Sequence, residues 1–122
     1  MIQPGTQLNV ADNTGAKIVE CFNIPKGTRK RYVGIGEVFT GSIKKAEPRR
    51  EVKTHQVVKA VVVRQKKNYR RADGSYIRFD DNACCILAEG DKLKGNRISG
   101  PVPRELKEKG FEKIVTLAKD VV

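Results

Sequence analysis

The sequence is poor in the side chains that most often carry chemistry: one histidine, three cysteines, no tryptophan, and aromatics at 6% of its residues. The histidine, His55, sits among Lys53, Thr54 and Gln56, with neither a nearby acid nor a metal-ligand spacing, and reads as a turn residue. There is no CxxC. Cys84 and Cys85 are adjacent and point to opposite faces of a strand, while Cys21 falls in a different predicted strand. Buried packing accounts for at least one of the pair, and the outward one is a candidate reactive thiol. A Cys–His nucleophilic site would have to be assembled in space, which nothing in the spacing supports. An odd number of cysteines argues against a disulfide framework and for a reducing compartment, here read as the cytoplasm.

Other signatures are missing too. Gly34-Ile35-Gly36 begins like a dinucleotide fingerprint, but Phe39 stands at the third glycine position and no helical pattern follows, so it reads as a turn into a strand. No Walker sequence, HExxH or paired-carboxylate constellation occurs, and Asp80-Asp81 reads as turn chemistry. No enzymatic function, metal or cofactor is expected. The start, Met1-Ile2-Gln3-Pro4-Gly5, lacks the charged and apolar regions of a secretory signal. A membrane-surface role would need a basic amphipathic helix, a lipidation signal or a long apolar run, and none is found.

Acid is absent altogether from Val52 to Ala72, and this is the most informative gap. The chain carries 25 Lys and Arg against 14 Asp and Glu, a net charge of +11. Residues 26 to 71 hold 15 of the basic residues and only three acids, Glu37, Glu47 and Glu51, so the whole excess lies there. Three clusters compose it: Lys26, Arg29, Lys30 and Arg31; Lys44, Lys45, Arg49, Arg50 and Lys53; and Arg64, Lys66, Lys67, Arg70 and Arg71. A charge run is ordinarily a solvated face or a flexible tail. These clusters alternate with strand-like apolar runs, so folding gathers like charges on one surface, and a polyanion relieves that repulsion.

The chain is mostly β in character up to about residue 100, with short β-branched runs separated by Gly, Asn, Asp and Pro. Thr6 to Val10 and Lys17 to Ile24 flank an Asx-type turn at residues 11–16. Glu37 to Ala46 and Gln56 to Arg64 are two further strands. Their charged ends, Ile43-Lys44-Lys45 and Val63-Arg64-Gln65-Lys66-Lys67, are expected to project as a β-ribbon past a barrel. Tyr76 to Phe79 and Ala83 to Ala88 are expected to pair around Asp80-Asp81-Asn82. Five or six such strands suit a small closed barrel.

The period then changes. Pro101 to Gly110 places proline at a helix start and glycine past its end, and Phe111, Ile114, Val115 and Ala118 form one apolar face of a second short helix. That face suits core packing, with a docking stripe for a partner protein as the alternative. Length and a 39% hydrophobic content fit one domain, 1–122, with one modest core: a barrel with basic ribbon and loops over 1–100 and a short helical segment over 101–122. Tyr32, Tyr69 and Tyr76 each lie near basic residues; they either cover the barrel or stack on exposed bases.

Several motifs in fixed order and spacing carry a resemblance. They are Val10-Ala11-Asp12-Asn13-Thr14-Gly15-Ala16; Ala60-Val61-Val62-Val63-Arg64; Arg70-Arg71-Ala72-Asp73-Gly74-Ser75; Ile77-Arg78-Phe79-Asp80; Asn82-Ala83-Cys84; and Gly100-Pro101-Val102 with Arg104-Glu105-Leu106. Over essentially its whole length the chain resembles the family of large-subunit ribosomal protein fourteen, in its bacterial type. It departs from the pattern at Cys85, where Val is usual, and at Asn96, where Thr is common before Arg97.

The resemblance implies a mainly β fold: a small five-stranded β-barrel with a projecting β-ribbon and two short C-terminal helices. It also implies the partners: large-subunit rRNA, large-subunit protein nineteen, small-subunit rRNA across an intersubunit bridge, and a ribosome-silencing factor. The implied rRNA contacts are the three basic clusters with Lys59 and Arg78, and Asn96, Arg97 and Lys113 belong to the implied protein or subunit interface. Mechanistically, cations that neutralise phosphates from several RNA segments fix their relative positions, reading shape and charge more than base sequence. The alternative is a free-standing RNA-binding barrel, such as a regulator or chaperone, which composition alone does not separate from a ribosomal component.

Overall fold

The computed structural model describes residues 2–24, 31–49 and 52–122. Its strands are β1 (Gln7–Val10), β2 (Ala16–Asn23), β3 (Val38–Ala46), β4 (Val57–Arg64), β5 (Tyr69–Arg70), β6 (Tyr76–Ile77) and β7 (Ala83–Leu87), followed by α1 (Glu105–Glu108) and α2 (Glu112–Leu117). Strands β1, β2, β3, β4 and β7 close into a barrel. Each pair is antiparallel except β1 with β7, where Asn9 and Val10 lie beside Ala83 and Cys84 in parallel register.

Local chemistry explains the first hairpin. Asp12 Oδ1 accepts from the Thr14 amide at 3.2 Å and the Thr14 hydroxyl at 2.7 Å, and Gly15 takes φ +104°, so the chain reverses between β1 and β2. Farther along, β2 and β3 approach so closely that a Cβ on Gly41 would meet the Glu20 carbonyl oxygen at 2.5 Å. Only glycine fits there, and the register of β2 on β3 shifts three times, as bulges do in a tightly curved barrel.

The buried apolar residues form two clusters, not the one modest core expected from composition. The first fills the barrel with Leu8, Val19, Phe39, Ile43, Ala60, Val62, Cys84 and Ile86 among others. The second lies outside it, where Val61, Val63, Ala83, Cys85 and Leu87 meet Ile98, Val102, Leu106 and Ile114. From Ala60 onward β4, like β7, is thus buried on both faces, which is why Ala60 to Val63 and Ala83 to Leu87 read as continuous apolar runs without alternation. The expected helical face is used in this second cluster: Ile114 is buried, with Phe111, Val115 and Ala118 packed around it.

The ribbon is present but in a different place. It is the separate two-stranded sheet β5–β6, joined through residues 72–75, whereas Val63, Arg64 and Gln65 are buried. Tyr76 and Ile77 pair with Arg70 and Tyr69, so they do not pair with the strand that follows them; β7 belongs to the barrel between β4 and β1. Arg64 turns inward, where Asp81 and the carbonyls of Ser99 and Pro101 accept from its guanidinium, and Gln65 turns inward with its Nε2 donating to the Lys67 carbonyl. Both cysteines of the adjacent pair are fully buried, Cys84 in the barrel and Cys85 in the outer cluster, so no outward thiol exists there. Burial pushes the thiols of Cys21, Cys84 and Cys85 upward in pKa, away from the reactive thiolate.

Candidate nucleic-acid interface

Four of the sequence-derived candidates, Lys26, Arg29, Lys30 and Arg50, lie outside the described residues. Of the remainder, Arg31, Lys44, Lys45, Arg49, Lys53, Lys59, Lys66, Lys67, Arg70 and Arg78 are exposed. Among the described residues only Lys44 of this set is in an ion pair, with Glu20 at 3.6 Å. Such a pair is weak in water and leaves the ammonium available to a stronger anion. Arg31 precedes β3 and Lys59 lies on β4; the other eight arise at three places: the end of β3, the β3–β4 loop, and the segment around the ribbon.

The described residues of the β3–β4 loop are anchored. The Glu47 amide donates to the Gly15 carbonyl at 2.7 Å, the His55 amide to the Ile43 carbonyl at 2.6 Å, and the Lys53 amide to Gln56 Oε1 at 3.1 Å. Arg49 and His55 adopt left-handed backbone conformations, φ 65° and 72°, which cost free energy in residues with a Cβ, and at His55 the amide's bond to Ile43 keeps it. His55 is accordingly an exposed turn residue, as expected.

Around the ribbon, the Lys66 amide donates to Asn82 Oδ1 at 2.9 Å and Gln65 Nε2 donates to the Lys67 carbonyl at 3.1 Å. The 72–75 turn is closed by Asp73, whose Oδ1 accepts from the Ser75 amide and hydroxyl at 2.9 and 2.6 Å. Those bonds hold the Asp73 carboxyl below its ordinary pKa, so the acid at the ribbon's tip stays ionised and engaged with its own turn.

Two candidates turn their charge inward. Arg64 is 8% exposed; its Nε and Nη2 donate to the two oxygens of Asp81 at 3.0 and 3.3 Å, and Nη1 donates to the carbonyls of Ser99 and Pro101 at 2.9 and 3.2 Å. This guanidinium joins the end of β4 to the 80–82 turn and to the 99–101 segment. Arg71 Nε lies 2.8 Å from Glu105 Oε1, with both side chains about one-eighth exposed, and its Nη2 donates to the Val122 carbonyl at 2.6 Å. It ties the ribbon to α1 and the C-terminal residue. Neither role was legible in the sequence, because Asp81, Ser99, Pro101 and Glu105 are distant along the chain.

The candidate protein-facing residues fall into two clefts. Asn96 and Arg97, both exposed, line a cleft of about 760 Å³ with Leu117 and Lys119. Asn13 fixes them: its Nδ2 donates to Asn96 Oδ1 at 2.6 Å, and its Oδ1 accepts from the amides of Asn96 and Arg97 at 3.0 and 3.3 Å. Lys113 is exposed on a second, smaller cleft with Leu93, Phe111 and Ile114. Beneath the first cleft, Asp12 Oδ2 accepts from the Ile86 amide at 2.8 Å, and burial raises the Asp12 carboxyl pKa above the ordinary value despite its hydrogen bonds.

Among the described residues no three His, Cys, Asp or Glu side chains gather as metal ligands, and no helix is long and apolar enough to cross a membrane. The arrangement offers exposed cations on a closed barrel, all but Lys44 in no ion pair among the described residues, which is the chemistry of phosphate binding. The family model of ribosomal protein L14p/L23e matches residues 1–122, every residue of the sequence. The chain therefore belongs to the ribosomal protein L14p/L23e family, structural and non-enzymatic constituents of the large ribosomal subunit that bind rRNA.

Proposed function

We propose that the chain binds large-subunit rRNA through Arg31, Lys44, Lys45, Arg49, Lys53, Lys59, Lys66, Lys67, Arg70 and Arg78, together with Lys26, Arg29, Lys30 and Arg50 of the same clusters. The observation that carries this reading is that, among the described residues, the exposed members are, Lys44 apart, in no ion pair and stand on strands and loops joined to the barrel. Arg64 and Arg71 are left out of the proposed contacts, since their guanidinium groups hold the fold together. The barrel acts as a rigid spacer, and its cations neutralise phosphates from several RNA segments at once, releasing counterions.

The less charged side, with Asn96, Arg97 and Lys113, is the proposed surface for protein neighbours: large-subunit protein nineteen, a ribosome-silencing factor, and the contact with small-subunit rRNA that forms an intersubunit bridge. The proposed location is the cytoplasm, on the large subunit. Sucrose-gradient sedimentation of cell extract after a high-salt wash tests the assignment. Stoichiometric co-migration with the large subunit is expected. A position at the top of the gradient contradicts it and favours a free-standing RNA-binding barrel.

A further inference from the structure

The register of the β5–β6 ribbon sorts its side chains onto two faces. Tyr69 lies opposite Ile77 and Arg70 opposite Tyr76, so the two pairs face opposite ways. Tyr69 packs against the outer apolar cluster, as does Phe79, and Ile77 is partly buried. Tyr76 is 64% exposed, and Arg70, its cross-strand partner, and Arg78, two residues farther along the chain, are exposed and in no ion pair among the described residues. The Tyr76 hydroxyl makes no hydrogen bond among the described residues either. A valine or threonine would serve a short exposed strand equally well, so neither packing nor strand propensity calls for a ring in water here.

The strand that carries the ring is held in place. It stands on a strand whose opposite face is packed, beside an arginine at cross-strand distance. Behind it, Arg71 pins the ribbon through Glu105. The surroundings are cationic, with Lys66 and Lys67 exposed close by in sequence and the acid of the hairpin tip, Asp73, bonded to Ser75. An exposed aromatic ring with one arginine opposite it on the ribbon and another two residues farther along the chain matches a flat aromatic ligand that carries phosphates.

We propose that Tyr76 is a stacking platform for one unpaired base of the RNA, with Arg70 and Arg78 holding the phosphates that flank it. This rests on the rRNA-binding reading and adds to it that the ribbon contacts a looped or bulged nucleotide. A base inside a duplex presents no free face to a side chain, whereas an unpaired one does.

The test compares the full chain with Y76F, Y76V and the double variant R70Q/R78Q, by filter binding to a large-subunit rRNA transcript and to a fully paired RNA duplex over a range of salt. Y76V keeps strand propensity, and Tyr76 is exposed, so the variant folds with an unchanged thermal transition. Y76F is expected to bind the transcript as the parent does. Y76V is expected to bind it about 5- to 150-fold more weakly, the span of one base–aromatic stack, with the same salt dependence and with unchanged duplex binding. R70Q/R78Q is expected to lower the salt slope by about one to two. If Y76V binds the transcript as tightly as the parent while R70Q/R78Q weakens it, the stacking site is wrong and the rRNA reading stands. If Y76V leaves RNA binding intact and loses only a protein partner, the occupant is not a base. If the parent itself shows no salt-dependent binding, the rRNA reading fails and the stacking site with it.

Discussion

Arg64 and Arg70 belong to one basic cluster in the sequence and do opposite things in the fold. Arg64 satisfies its donors on Asp81 and two backbone carbonyls, and Gly100, at φ +80°, leaves room for the guanidinium where a Cβ would collide with Nη1. Lysine lacks the planar fork, so Arg64→Lys leaves at least one buried carbonyl unpaired and is expected to lower stability by about 2–4 kcal/mol in thermal denaturation. Gly100→Ala is expected to destabilise through the same contact and through its backbone conformation. Burial opposes ionisation of Asp81, yet hydrogen bonds from Asn9 and Arg64 and the Arg64 charge hold its pKa below the ordinary value. A depressed folded pKa stabilises above the unfolded value and that contribution fades as the pH falls through the folded one. Asp81→Asn should therefore flatten the loss of stability in acid, read by denaturant unfolding across that range. The three buried thiols predict no labelling by a thiol reagent in the native state and labelling of all three in denaturant.

At the scale of elements, the sequence was legible where one face of a strand meets water. The β1–β2 hairpin, β3 and both helices fall close to their expected positions, since alternation or helical period was visible and turn residues bounded them, and the continuous apolar runs of β4 and β7 also fell within a residue of their expected bounds. The ribbon was assigned to the wrong strands for a physical reason. Alternation is lost where β4 is covered on both faces, so the chain appeared to run outward at Val63-Arg64-Gln65 when it was still inside. Two-residue strands such as β5 and β6 leave too little pattern to read. The ribbon depends on the Arg71–Glu105 pair, which is shielded from solvent. Replacing Glu105 with Gln is expected to remove about 1–3 kcal/mol of local stability, seen as faster amide exchange over residues 69–77 while β3 and β4 stay protected.

For the whole molecule, the two apolar clusters share β4 and β7, so neither can be lost without exposing the back of the other. Ile114→Ala, in the outer cluster, is expected to lower stability by about 2–5 kcal/mol and to do so within a single cooperative transition monitored over the entire chain. The charge was legible from sequence as a block between residues 26 and 71; which of its members face solvent was not, because that depends on partners far along the chain. The fold sharpens the block into exposed cations and two internal clamps. The central claim, that the exposed cations bind rRNA, is tested most directly by the salt dependence of binding to a large-subunit rRNA transcript, in the parent and in a variant with Lys44, Lys45, Lys66 and Lys67 changed to Gln. The account predicts a steep slope in the parent and one shallower by about three in the variant, at unchanged thermal stability. A slope that is the same in both, or binding indifferent to salt, contradicts it.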